Sequence, residues 1–223
     1  MDVQPDLSRV ARAVGDPTRL RMLTLLMGGR AATAKELAYG SGVSPATATT
    51  HLNRLCTEDL VTVRAQGRCK YFTLASPEVA ACVESLMRLA RPAATKSIPS
   101  TTLQPLREAR YCYDHLAGKL GTGLARRLVD RGLLVEALGR FDVTAAGARW
   151  FALHGIDVSH LKTVRRQFAP ACLDWSERRD HIGGALGAAI AELLVARRWI
   201  RRLPHSREVR ITPRGEVALK DWL

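Results

Sequence analysis

The sequence predicts a mainly helical protein with small β-hairpins, in two parts. An N-terminal unit of helices ends in one hairpin, and a C-terminal domain holds two repeated units. Three observations carry this. Apolar residues recur at helical spacing between good capping residues from Asp6 to Glu58. Two short runs rich in β-branched and aromatic residues, Leu60–Arg64 and Cys69–Leu74, flank the turn Ala65-Gln66-Gly67-Arg68. The segment beginning Asp114-His115-Leu116-Ala117-Gly118 returns as Asp180-His181-Ile182-Gly183-Gly184.

Each element has a local reason. Asp6–Met27 reads as helix, with a second start at Asp16-Pro17, an N-cap followed by a residue suited to the first turn. Leu20, Met22, Leu23, Leu25 and Leu26 supply its apolar stripe, and Gly28-Gly29 ends it. Thr33–Tyr39 is a short helix in which Thr33 and Glu36 form a capping box. Gly40-Ser41-Gly42 is a turn, and Ser44-Pro45 opens a helix to about Glu58. The two strands follow. Pro77–Leu89 is a further helix with Val79, Cys82, Leu86 and Leu89 on one face. The Pro-, Ser- and Thr-rich stretch over 93–105 reads as a linker. The expected domains are therefore 1–92 and 106–223, with repeats at about 110–155 and 176–223. Each repeat runs through a Gly-rich helix, a turn and a strand to a Thr-capped helix, at Thr144 and Thr212. This resembles a degenerate winged-helix half.

Composition bounds the function. The chain has 223 residues, 47% of them hydrophobic and 25% charged, so a packed core is expected and dominant disorder is excluded. A net charge of +13 favours a polyanionic partner, nucleic acid or an anionic membrane surface. The longest apolar run, Gly183–Ala196, contains Glu192 and is shorter than the roughly 20 residues that span a bilayer. The N-terminus lacks the basic-then-apolar order of a secretory leader. The five cysteines are odd in number and scattered, so reduced thiols and a cytoplasmic location are expected.

Helix, helix, turn, helix and two-stranded wing, in that order, make a winged helix-turn-helix. In the third helix Ala48, Leu52 and Leu55 form the inner stripe. Ala46, Thr49, Thr50 and Asn53 form the outer one, small and polar enough to enter a major groove about 12 Å wide. Ser44 and Arg54 flank it. Arg64, Gln66, Arg68 and Lys70 on the wing suit phosphate or minor-groove contact. Double-stranded DNA is the expected partner, although a Thr-rich face and a basic hairpin can also be plain solvated surface.

Residues Asp16-Pro17-Thr18-Arg19-Leu20-Arg21-Met22-Leu23, Ser44–Leu55 and Gln66–Phe72 resemble the signature segments of ArsR-type (arsenical-resistance repressor-like) regulators over about residues 7–92. The resemblance implies a homodimer built through the first helix and the Pro77–Leu89 helix. It also implies repression at a palindromic operator and release of DNA on effector binding. This chain departs from the metal-sensing members. Ala32–Leu37 carries no Cys-x-Cys motif, and Ser76–Leu89 carries no histidine. The C-terminal extension resembles a long-form subgroup of these regulators.

Effector candidates cluster in the extension: Tyr111, Cys112, Asp114 and His115 in one copy, and Cys172, Asp174, Trp175, Arg178, Arg179 and His181 near the other. Read on a helix, Cys112 and His115 share a face at i, i+3. If the repeats pack face to face, Cys112, His115, Cys172 and His181 converge on a soft or borderline metal. An organic effector walled by Tyr111, Tyr113, Phe168 and Trp175, with Arg178 and Arg179 for an anion, is a second reading. Oxidation of Cys112 or Cys172, activated by Arg110 and Arg179, is a third. Helix-tying Asp–His pairs with core cysteines are the fourth. An enzyme is not expected, because the sequence holds no GxSxG, GxxxxGK[ST] or HExxH pattern. A basic architectural DNA-binding protein with no effector remains the rival class.

Overall fold

The computed structural model describes residues 5–90, 100–204 and 206–222. The chain divides into two compact units, Met1–Leu89 and Ala90–Leu223.

In the first unit the expected Asp6–Met27 run is two helices, α1 (Leu7–Val14) and α2 (Pro17–Leu26). Asp16 accepts the Arg19 amide at 2.9 Å and starts α2. The Arg19 guanidinium turns back to the carbonyls of Ala13 and Arg12, satisfying the end of α1. Strand β1 (Ala32–Thr33) precedes α3 (Ala34–Ser41), whose capping box has the Glu36 carboxylate accepting the Thr33 amide at 2.6 Å. Helix α4 (Pro45–Thr57) starts on Ser44, whose hydroxyl accepts the Thr47 amide at 3.1 Å.

Strand β2 (Val61–Gln66) pairs antiparallel with β3 (Cys69–Leu74) from Val61↔Leu74 to Gln66↔Cys69. That register leaves a two-residue turn, Gly67-Arg68, in which Gly67 takes φ +59°. The strand thus runs two residues past the expected Arg64. β1 pairs with the other edge of β3 and gives a sheet of order β1-β3-β2. Two residues without alternation carry no strand signal, so β1 was not expected. Met22, Leu23, Leu26, Leu37, Ala48, Leu52, Leu55 and Phe72 form the core. Helix α5 (Pro77–Leu89) buries Ala80, Val83 and Glu84. The Val79–Cys82–Leu86–Leu89 stripe lies off that core, with Cys82 exposed and Leu89 80% exposed.

The expected linker over 93–105 is corrected in part. Residues 91–99 lie outside the described ones, but Ser100–Glu108 is helix α6, with Pro105 inside it. A Gln104–Glu108 side-chain hydrogen bond at 2.6 Å, one turn apart, supports it. The composition signalled a linker because Pro removes only one helix bond, and a single loss does not forbid a helix.

The second unit then runs through β4 (Arg110–Cys112), β5 (His115–Ala117), α7 (Gly118–Asp130), β6 (Leu134–Ala137), β7 (Arg140–Val143), α8 (Ala145–Leu153) and α9 (Val158–Leu161). It continues with β8 (Ala171–Leu173), β9 (Asp180–Ile182), α10 (Gly184–Ala196), β10 (Ile200–Arg202), β11 (Val209–Ile211) and α11 (Pro213–Leu219). Hairpin, thirteen-residue helix, hairpin and capped helix thus occur twice in order. Thr144 and Thr212 cap the closing helices by accepting the Gly147 and Gly215 amides at 2.9 and 3.0 Å.

The two halves interlock. α7 packs on β9 and α10 packs on β5, so each long helix lies on the other half's hairpin. Leu120, Leu124 and Leu128 of α7 share one buried cluster with Leu186, Ile190 and Leu194 of α10. Two glycines let each long helix sit tight against its own hairpin, with the opposite half close behind. A Cβ on Gly121 would stand 2.2 Å from the Leu116 carbonyl, and one on Gly187 would stand 2.1 Å from that of Ile182. The opposite half's histidine lies just beyond each: His181 Cβ at 3.5 Å and His115 Cβ at 3.0 Å. Gly187→Ala is therefore expected to destabilise the unit by about 1–3 kcal/mol through overpacking. An unchanged thermal midpoint would contradict the close approach. Among the described residues no helix is long and apolar enough to cross a membrane.

Candidate DNA-reading face and Cys-His cluster

Ser44, Ala46, Thr49, Thr50, Asn53 and Arg54 are all exposed along one side of α4. Thr49 and Thr50 donate their hydroxyl protons to the carbonyls of Pro45 (2.9 Å) and Ala46 (3.3 Å). What remains outward is acceptor capacity, suited to exocyclic amines of bases. Arg54 pairs with Glu58 at 2.8 Å. Glu58 also takes Arg9 at 3.0 Å, which ties α1 to the far end of α4. His51 is half-buried, 3.7 Å from Asp16, and joins α4 to the start of α2. On the wing Arg64, Gln66, Arg68 and Lys70 are all exposed. The register places Arg64 and Gln66 on one face, beside Tyr71 and Cys69, and Lys70 on the other beside Ala65. Arg68 occupies the tip.

In the C-terminal unit the structure corrects one expectation directly. Cys112 and His115 are not on a helix. They are the closing cross-strand pair of the β4–β5 hairpin, with Tyr113-Asp114 as its turn and Tyr113 at φ +62°. Cys172 and His181 are likewise cross-strand partners, on β8 and β9. The two hairpins bring these four side chains together, with one ligand-type atom of each within 4.8 Å of all the others. The sulfurs of Cys112 and Cys172 are 4.0 Å apart, and the two imidazole rings have centroids 5.1 Å apart. His181, His115 and Cys112 are buried, and Cys172 is half-buried.

The electrostatics belong to the cluster itself. Hydrogen bonding from Cys112 holds the Cys172 thiol far below its ordinary value against the cost of burial, helped by His115 and His181. Burial opposes a charged His115, but Asp114 and the Cys172 sulfur outweigh it and lift His115 to about 9. Arg179 and Arg178 are exposed, and Arg110 is engaged elsewhere.

That other engagement is a buried ion pair which sequence reasoning missed. Arg110 and Asp174 are both fully buried and meet at 2.9 Å. Asp174 also accepts the Gly118 amide (2.6 Å) at the start of α7, the Ser176 amide and hydroxyl (2.8 Å each) and the Glu177 amide (3.0 Å). The opposing charge and these donors hold its carboxyl far below the usual range in spite of burial. Trp175 lies against the Arg110 guanidinium at 4.5 Å. The partners are 64 residues apart, and no local pattern announces them. Asp114, also held low, meets His115 at 3.2 Å and Arg166 at 2.7 Å.

Two of the aromatic residues expected to wall a pocket are packed into the core instead. Tyr111 is 2% exposed in the core, with the Arg202 guanidinium 3.5 Å from its ring. Phe168 packs against the same core. A concavity of 690 Å³ lies elsewhere, lined by Ala148, Ala152, Ile156, Val158 and Lys162 among others.

Comparison with known proteins places the chain. A helix-turn-helix domain family matches residues 14–64. An uncharacterized HTH-type transcriptional regulator of Bacillus subtilis (strain 168), YdfF, is 40% identical over 222 residues, spanning 99% of this chain and 98% of that protein. The chain belongs to the HTH-type transcriptional regulators. Solved structures similar to the regulator include reduced HlyU from Vibrio cholerae, 28% identical, covering 38% of this chain and 88% of that one, with a TM-score of 0.35. Another is a homodimeric winged helix-turn-helix domain from Mycobacterium bovis, titled a possible ArsR-family regulator. It is 25% identical and covers 44% and 98% of the two chains, with a TM-score of 0.36. The helix-turn-helix match over residues 14–64 takes in α2, α3 and α4 and enters β2.

Proposed function

We propose that the regulator is a homodimeric repressor that reads a palindromic operator with α4 and releases it when an effector engages the C-terminal unit. The observation that carries the DNA reading is the exposed Ala46–Thr49–Thr50–Asn53 face on a helix whose other side is the unit's core. Self-association through α1 and α5 is supported by the apolar side chains they leave uncovered, Leu7 at 74% and Leu89 at 80% exposure. The homodimeric Mycobacterium bovis domain is in line with it. Two recognition helices would then address half-sites about 34 Å apart, and effector binding would act by changing that spacing.

Selection of bound duplexes from a random pool, followed by sedimentation of the complex, tests this. A palindromic sequence bound by two chains is the expected result. Equal affinity for every duplex would make the protein a non-specific architectural binder. Arg68→Ala should weaken binding to all sequences alike and lower the slope of log affinity against log salt by about 1 per chain. A loss confined to one base position would remove Arg68 from the phosphate contacts.

A further inference from the structure

The Cys-His cluster of the C-terminal unit has the dimensions and surroundings of a closed metal centre. A tetrahedral ion with metal–sulfur bonds of about 2.3 Å sets its two sulfurs about 3.8 Å apart. Cys112 and Cys172 hold theirs at 4.0 Å. All four ligand-type atoms fall within 4.8 Å of one another, so a small inward adjustment completes the shell. A disulfide between the same sulfurs would need them to close to about 2.05 Å.

The histidines supply the second, independent observation. His181 is 0% exposed and His115 8%, yet both His181 ring nitrogens and His115 Nε2 have no hydrogen-bond partner among the described residues. Buried polar atoms are rarely left so. The outer nitrogens face carboxylates. His115 Nδ1 meets Asp114 at 3.2 Å, and His181 Nδ1 lies 3.6 Å from Asp174. Carboxylates in that position orient a ligating imidazole and leave its Nε2 to the metal. Each carboxylate has its own cation, Arg166 for Asp114 and Arg110 for Asp174, so the outer shell is charge-balanced.

We propose that Cys112, His115, Cys172 and His181 form a four-coordinate site for a zinc-class divalent cation. Two thiolates and two neutral imidazoles around a 2+ ion give a centre of zero net charge. That is the combination a buried site tolerates, and the protons that the thiols and imidazoles carry beforehand leave to solvent on binding. Mixed sulfur and nitrogen donors in this number select a borderline ion over magnesium or calcium. Each hairpin contributes one Cys and one His, so the ion ties together two halves whose long helices each pack on the other's hairpin. With four protein donors no open position is left for substrate. The site therefore clamps the unit. It goes beyond the DNA reading and stands or falls apart from it.

The test is cobalt substitution in the full chain, reduced, stripped with chelator and handled without oxygen. One equivalent of cobalt(II) should give the intense ligand-field bands of a four-coordinate site with a thiolate charge-transfer band, and zinc should displace it. Cys172→Ser and His181→Gln should lose that spectrum. Asp114→Asn, outside the donor set, should keep the spectrum and bind about 10- to 100-fold more weakly. If the ligand variants fail to fold, the spectrum of the unaltered protein and the Asp114→Asn affinity still decide. Weak six-coordinate bands, uptake below half an equivalent, or a spectrum unchanged in Cys172→Ser would overturn the site. So would thiols that close to a Cys112–Cys172 disulfide in a protein that takes up no metal when reduced. Failure to bind any duplex specifically, with the cobalt spectrum intact, would count against the operator reading alone.

Discussion

Asp174→Ala will destabilise the C-terminal unit by about 3–5 kcal/mol, the cost of leaving a buried charge without its partner. Arg110 is fully buried, and removing Asp174 leaves its guanidinium, among the described residues, with the Leu106 carbonyl (3.2 Å), the Ser176 hydroxyl (3.1 Å) and the face of Trp175. The amides of Gly118, Ser176 and Glu177 lose their acceptor in the same step, and the first of them starts α7. Asp174→Asn keeps one acceptor oxygen but turns an amide donor or a neutral oxygen toward Arg110. Its loss should be smaller, though still above 1 kcal/mol. The unfolding midpoint should fall by about 10 °C for the alanine variant. Tryptophan fluorescence is the readout, because Trp150, Trp175, Trp199 and Trp222 all lie in this unit.

The same pair sets an acid limb. A carboxyl held below its ordinary range adds stability that is fully present above the unfolded value, near 3.9, and drains away as pH falls below it. The unaltered unit should therefore lose stability below about pH 4 more steeply than Asp174→Ala, which has already lost this contribution. Parallel acid limbs would show that Asp174 is not ionised against Arg110 in the fold.

Local rules made much of the N-terminal unit legible. Asp16, Thr33 and Ser44 each start the helix their side chains cap, and Gly67 marks the turn that sets the wing register. The C-terminal unit was legible in order but not in geometry. Cys112 and His115 stand at the helical i, i+3 spacing, which is equally the spacing of a closing pair across a two-residue hairpin turn. The sequence alone does not separate the two, and Tyr113 at positive φ decides for the hairpin. The repeat aligned Asp114-His115 with Asp180-His181, yet the carboxylate beside His181 is Asp174, carried on the loop before it. Arg110, the residue that fixes Asp174, is near Cys112 in sequence, and that nearness alone points to a thiol activator. Sequence proximity had no power there: the partner is brought in by the β8–β9 hairpin packing on α7.

On the DNA side, Asn53→Ala is expected to weaken operator binding at least about 30-fold. An asparagine amide can meet adenine N6 and N7 together, a contact worth about 1–3 kcal/mol, and a dimer makes it twice. Asn53 suits this role better than its neighbours. It is exposed on the same face as Thr49 and Thr50, but those threonines have spent their protons on helix carbonyls, and Arg54 is drawn to Glu58. Asn53 therefore brings both a free donor and a free acceptor from this face. The substitution should leave folding intact or raise it slightly, since alanine is the better helix former at an exposed position. The loss should also be confined to duplexes carrying the contacted base, so that affinity for unrelated DNA changes little. Titration of Asn53→Ala and Arg68→Ala against the selected operator and a scrambled duplex separates the two roles. Asn53→Ala should collapse the difference between the duplexes, whereas Arg68→Ala should lower both together. An Asn53→Ala protein that discriminates as well as the parent would move base reading off this face of α4.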